Sequence, residues 1–246
     1  MSDPTAAPEG ATPRAAPAGS AQPRQMPLAD RALTLMLFVL VVDIFLVAPL
    51  SEMTAGSGHW GHILLVAVLG MAALAIWGNL WLTDLFVAGC IACIACRLAF
   101  VRWGGEELLY AGYVLAAATF TILGYLLARR VFAPGRINVH RIQGAIALYL
   151  LAGMVLSQIF QLISITHPGA FLHLGHPASH ADITGSLGYY AFVSLTTLGF
   201  GDITPVHPLA RTLTVMGAVF GTMYPAILIG RLVSQEMMGK GDSSEP

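Results

Sequence analysis

Apolar positions along the chain gather into six long runs and one short one. The long runs cover approximately residues 32–50, 60–80, 82–101, 108–127, 142–165 and 210–233, and the short one covers residues 186–195. A bilayer core about 30 Å thick takes roughly 20 helical residues, whose backbone donors and acceptors satisfy one another within the segment. The pattern predicts an all-α membrane protein with six transmembrane helices, plus a short segment that enters the membrane without crossing it. Residues 1–30 interleave six prolines, from Pro4 to Pro27, with Ala, Gly, Ser and Thr. Such a mixture cannot bury enough apolar surface to offset its ordering entropy, so a disordered tail is expected. It has no continuous apolar core and does not read as a signal peptide. The chain divides into this tail, a four-span unit at 31–130, a polar linker at 131–141, a two-span unit at 142–233 and a closing tail at 234–246.

Composition agrees, with 56% of residues hydrophobic and only 10% charged, where soluble domains carry about a quarter. A net charge of -1 provides no field to draw nucleic acid, and none is expected as a partner. Nine of the twelve basic residues fall before the first span, between spans four and five, or after the last, while Arg97, Arg102 and Arg211 lie opposite. The positive-inside rule then puts both termini in the cytoplasm of a multi-pass protein of the cell membrane. Two acidic residues within spans need partners. Depth along the spans pairs Asp43 with Arg97, and Asp84 with Arg129 or Arg130. Cys90, Cys93 and Cys96 share one apolar run and read as small packing residues.

The chemistry lies between spans five and six, from Ser186 to Pro205. Dehydrating a cation takes carbonyl oxygens turned inward in stacked rings, a backbone shape that few side chains tolerate. Gly199 and Gly201 supply positions where positive φ is cheap. Thr197 can add a hydroxyl ring, and Phe200 can wedge against the short helix. The negative end of that helix, near Thr196, favours a cation, and Asp202 would concentrate cations outside.

Residues 194–205, Ser-Leu-Thr-Thr-Leu-Gly-Phe-Gly-Asp-Ile-Thr-Pro, resemble the signature of the potassium-channel superfamily. The resemblance implies a selectivity filter contributed by Thr196, Thr197, Leu198, Gly199, Phe200 and Gly201, with Asp202 at the outer mouth and residues 142–233 as the pore domain. One such segment supplies a quarter of a ring, so a homotetramer in a lipid bilayer is implied, passing K+ passively, with K+ as permeant ion and no cofactor. Leu198 stands where Val or Ile is usual and Phe200 where Tyr is commonest, which raises a weakly selective monovalent cation channel as an alternative. Span four has no regularly spaced arginines, so the six-span plan comes without its usual voltage sensor.

In the last span, Gly217, Gly221 and Pro225 form a candidate gate hinge, because Pro225 has no N–H for the Gly221 carbonyl. Close helix packing is the competing role for Gly217. Seven of eight histidines fall on the outer side, and His173, His176 and His180 beside Asp182 are candidates for pH or transition-metal sensing. The same residues support a rival reading, a membrane-embedded metal-dependent enzyme, and a non-conducting accessory subunit is another. No phosphate loop or His-Glu-x-x-His helix is present, so no enzyme activity is expected. The thirteen residues after Val233 are too few for a folded ligand-binding domain in this chain.

Overall fold

The computed structural model describes residues 28–47, 49–50, 80–133 and 139–241. Helix α1 (Leu28–Val42) continues into a π-helical turn over Asp43–Val47. Helix α2 (Leu80–Trp103) and helix α3 (Glu106–Val131) come next. The two are joined by Gly104 and Gly105 at φ 69° and 102°, where the chain reverses through a conformation that side chains resist. Acidic Glu106 and Glu107 open α3 and basic Arg129 and Arg130 close it, each charge complementing the helix dipole.

Helix α4 (Val139–Thr166) is the spine of the molecule. Its first half, including Ala145, Leu151 and Met154, joins a core with Leu33, Met36 and Leu40 of α1, Phe86 and Cys90 of α2, and Phe120, Leu123 and Leu127 of α3. Its second half, including Leu156, Phe160 and Ile163, joins another core with the segments C-terminal to it. These are three short strands, β1 (Phe171–His173), β2 (His176–Pro177) and β3 (Ile203–Pro205), the one-turn helix α5 (His180–Ile183) and helix α6 (Ser186–Leu195). The last described element is helix α7 (Pro208–Gly241).

Among the described residues, four helices are long and apolar enough to cross a membrane: Asp84–Trp103, Glu106–Val131, Val139–Thr166 and Pro208–Arg231. They correspond to expected spans three to six. The first expected span appears as the shorter apolar helix Leu33–Val47, and the second lies outside the described residues. Most of the proline-rich tail and the middle of the 131–141 linker also lie outside them.

Neither expected ion pair forms among the described residues. Helix α1 packs chiefly on α4, whereas α2 packs on α3, so equal depth does not bring Asp43 and Arg97 together. Asp43 continues the buried stripe of α1 after Leu33, Met36 and Leu40, while the Arg97 guanidinium lies 4.9 Å from the centre of the Tyr113 ring on α3. Arg129 sits over Tyr125, 5.9 Å from its ring centre, and Asp84 is exposed. Cys90 and Cys93 are buried free thiols and Cys96 is half-buried, consistent with packing roles.

Candidate functional site

Helix α6 is wedged between α4 and α7, and small residues make room for it. Gly153 of α4 faces the Phe192 ring, whose nearest atom lies 2.4 Å from where a Cβ would stand. Gly221 of α7 faces the Leu195 carbonyl oxygen, only 1.6 Å from such a Cβ. Gly217 faces Leu156 at 2.7 Å. Polar ties fix the same contacts. The Thr214 hydroxyl donates to Ala210 O at 2.8 Å, so the Tyr190 hydroxyl, 2.8 Å from Thr214 Oγ1, donates to it. Tyr224 donates to Ala145 O on α4 at 2.8 Å. Its ring stacks with Tyr149, centroids 6.0 Å apart.

The C-terminus of α6 shapes the residues just beyond it. Leu198 N–H bonds to Val193 O at 3.0 Å and Thr197 N–H to Ser194 O at 3.1 Å. That pair of bonds, with Thr197 at φ 60°, is a Schellman cap. The left-handed position is normally glycine, and a β-branched residue there costs on the order of 1–3 kcal/mol. Beyond it, Gly199 at φ 58° and Gly201 at φ 82° are also left-handed, while Leu198 and Phe200 are not. When left-handed and right-handed residues alternate, successive N–H groups turn to one side, and the carbonyls line the opposite side. Residues 196–201 are all exposed in the single chain.

Both flanks of this segment are anchored. Phe200 stacks parallel on Tyr189 of α6, ring centroids 6.3 Å apart, and the Tyr189 phenol faces the half-buried Asp202. Downstream, β3 pairs antiparallel with β1, and β1 with β2, in the order β2-β1-β3. His173 stands opposite Ile203 and also opposite His176. The β1–β2 hairpin turns through Leu174 at φ 50° and Gly175 at φ 83°, the two left-handed positions of a type I′ turn. Leu174 N–H then bonds to Asp202 O at 2.8 Å.

The sensing candidates do not gather into one cluster. His173 and His176 pair across the hairpin, His180 turns back against Tyr113 with centroids 5.8 Å apart, and Asp182 is occupied by Ser179. The Ser179 hydroxyl donates to Asp182 Oδ2 at 2.6 Å and its N–H at 3.0 Å. These bonds hold the Asp182 carboxyl below its ordinary range, the side-chain bond contributing most. Among the described residues no three His, Cys, Asp or Glu side chains form a group that could hold a metal.

The hinge candidates sit in one continuous helix, with Pro225 inside it. Gly221 has a packing task there, the close approach to Leu195. Sequence reasoning did not anticipate the contribution of Tyr189, because it stands eleven positions before Phe200 and no local spacing marks the pair. Another unforeseen contact sets the His167 ring, after α4, at a tilt of 39° to the His207 ring, before α7, with centroids 4.2 Å apart.

Residues 145–237 match a family model described as an ion channel. The match runs from the first half of α4 through α6 and the Thr196–Gly201 segment into α7. No curated protein and no solved structure matches the chain.

Proposed function

Taking this multi-pass membrane protein with its ion-channel segment at residues 145–237 as the premise, we propose that the chain is one subunit of a homotetrameric potassium channel. Four copies place their Thr197–Gly201 segments around a common axis. The carbonyl oxygens replace the hydration shell of K+, and the C-terminal end of each α6 points its partial negative charge at the cavity beneath. The observation that carries this reading is the alternation of handedness, with Thr197, Gly199 and Gly201 left-handed at φ between 58° and 82°. Alternation of this kind turns carbonyls toward one side of a strand, and residues 196–201 are exposed in the single chain. Phe200, stacked on Tyr189, holds the strand from behind, and Asp202 gathers cations at the mouth. In this reading both termini are cytoplasmic, K+ is the permeant ion, and Gly217, Gly221 and Pro225 belong to the stretch of α7 whose movement gates the pore.

Reconstitution of the purified chain into planar bilayers with K+ on one side and Na+ on the other tests the proposal. The reversal potential is expected to sit close to the potassium equilibrium value. Phe200 has no hydroxyl and Leu198 replaces a β-branched residue, so a reversal potential near zero would instead favour the weakly selective alternative. No current from the chain alone would favour an accessory subunit.

A further inference from the structure

His180 lies where the first unit of the chain meets the second. Its ring stands edge-on to Tyr113 of α3, at 77°, and Arg97 of α2 lies over that same Tyr113 ring. Thr184, in the turn between α5 and α6, is the hub of the contact. Its hydroxyl donates to Gln161 Oε1 of α4 at 2.9 Å, which uses its only proton. The Thr184 oxygen is left as an acceptor, so Tyr113 O–H at 3.3 Å and His180 Nε2–H at 3.2 Å both donate to it. The Gln161 amide donates back to the Thr184 carbonyl. A neutral His180 therefore carries its hydrogen on Nε2. Its bare Nδ1 is buried and has no hydrogen-bond partner among the described residues.

We propose that this cluster is a proton-operated latch between the α2–α3 pair and the pore domain, closed when His180 is neutral and released, with loss of current, when it takes a proton. A proton on Nδ1 adds a donor where no acceptor stands among the described residues, and a positive charge in the field of Arg97. Among the described residues, the charged groups facing the ring are Arg97 from α2, which opposes protonation, and Glu106 at the start of α3, which favours it. Tyr113 and Gln161 are neutral, and Asp182 on the same short helix is engaged by Ser179. Burial and then Arg97 hold the imidazole below its ordinary value of 6.5 while the latch is closed. Released into water, the ring titrates at its ordinary value. The latch is therefore at full strength above pH 6.5 and weakens as pH falls below it, because the released form takes the proton more readily.

Release reaches the filter through a short path. Thr184 precedes the start of α6 by two residues, and the other end of α6 is the cap that sets Thr197. Freeing the first end lets α6 tilt and the carbonyl ring lose its register. This consequence for current rests on the channel reading, whereas the latch itself does not.

The test combines bilayer currents with hydrogen exchange, on the wild-type chain and on His180→Gln, whose amide can still donate to Thr184 but cannot take a proton. Acidifying the side of the outer mouth from about pH 8 to about pH 5.5 spans the histidine range. Wild-type current should fall and exchange of the 184–187 amides should speed up, with both responses lost in His180→Gln. Arg97→Gln should move the midpoint to higher pH and Glu106→Gln to lower pH, a pair of opposite shifts that a merely structural role would not produce. A pH-dependent exchange that His180→Gln abolishes, in a chain that passes no current, upholds the latch and removes the channel reading. Current and exchange that respond to pH identically in wild type and His180→Gln, or midpoints unmoved by both charge variants, overturn the latch.

Discussion

Substituting Gly221 by alanine gives the most sharply graded test of how α6 is held. A Cβ there would stand 1.6 Å from the Leu195 oxygen, 2.7 Å from its carbonyl carbon and 3.3 Å from its Cα. The obstacle is backbone, at the last residue of the helix that feeds the Thr196–Gly201 segment, so no rotamer change relieves it. Reaching even the 3.0 Å floor of real contacts requires a relative shift of at least about 1.4 Å. Overpacking of this kind costs typically 1–3 kcal/mol, and the shift acts directly on carbonyls whose spacing, in the proposed channel, sets ion coordination. Gly217→Ala meets only the end of the flexible Leu156 side chain at 2.7 Å and should cost less, about 1 kcal/mol. Gly230→Ala meets nothing within 4 Å and gains helix propensity, roughly 0.5–1 kcal/mol. Thermal unfolding in detergent and single-channel conductance should both rank the variants in that order, with conductance abolished only in Gly221→Ala. If Gly221→Ala matched wild type in stability and conductance but altered only open probability, the packing argument would be refuted and a pure hinge role would stand.

Single contacts elsewhere in the chain have their own consequences. Gly199→Ala places a side chain at φ 58°, which costs about 1 kcal/mol or more, and should abolish potassium selectivity in bi-ionic recordings while leaving assembly on size-exclusion intact. Tyr224→Phe removes the hydroxyl bound to Ala145 O and should lower stability by about 0.5–1.5 kcal/mol in chemical unfolding. Asp182 has its carboxyl pKa lowered by the two Ser179 bonds. The order it lends to α5 is therefore complete above its ordinary value of 3.8 and lost as pH falls below that. Hydrogen exchange at Ser179 should accelerate there in wild type and show no such step in Asp182→Asn.

The parts of the molecule legible in the sequence are those whose signals are local. Apolar runs located α2, α3, α4 and α7 to within a few residues at most ends, and the Gly199–Gly201 spacing marked the left-handed positions. Thr197 shares their handedness through the capping geometry of α6, which no propensity of threonine predicts. Depth arguments failed for Asp43 and Arg97 because run position gives height along a helix but not the direction each helix faces. The three strands were missed for a related reason. Each is three residues or fewer, and the pairing of His173 with Ile203 spans the whole of α6 and most of the signature segment. Gly221 was recognised as special, but its flexibility was weighed where its missing side chain turns out to matter.

The most direct test of the central claim is anomalous scattering from thallium or rubidium in crystals of the assembled protein. Peaks on a fourfold axis, stacked between rings of oxygens from Thr197 to Gly201, are the predicted result. Four copies whose 197–201 segments lie off any axis, with no density between their carbonyls, would contradict the account.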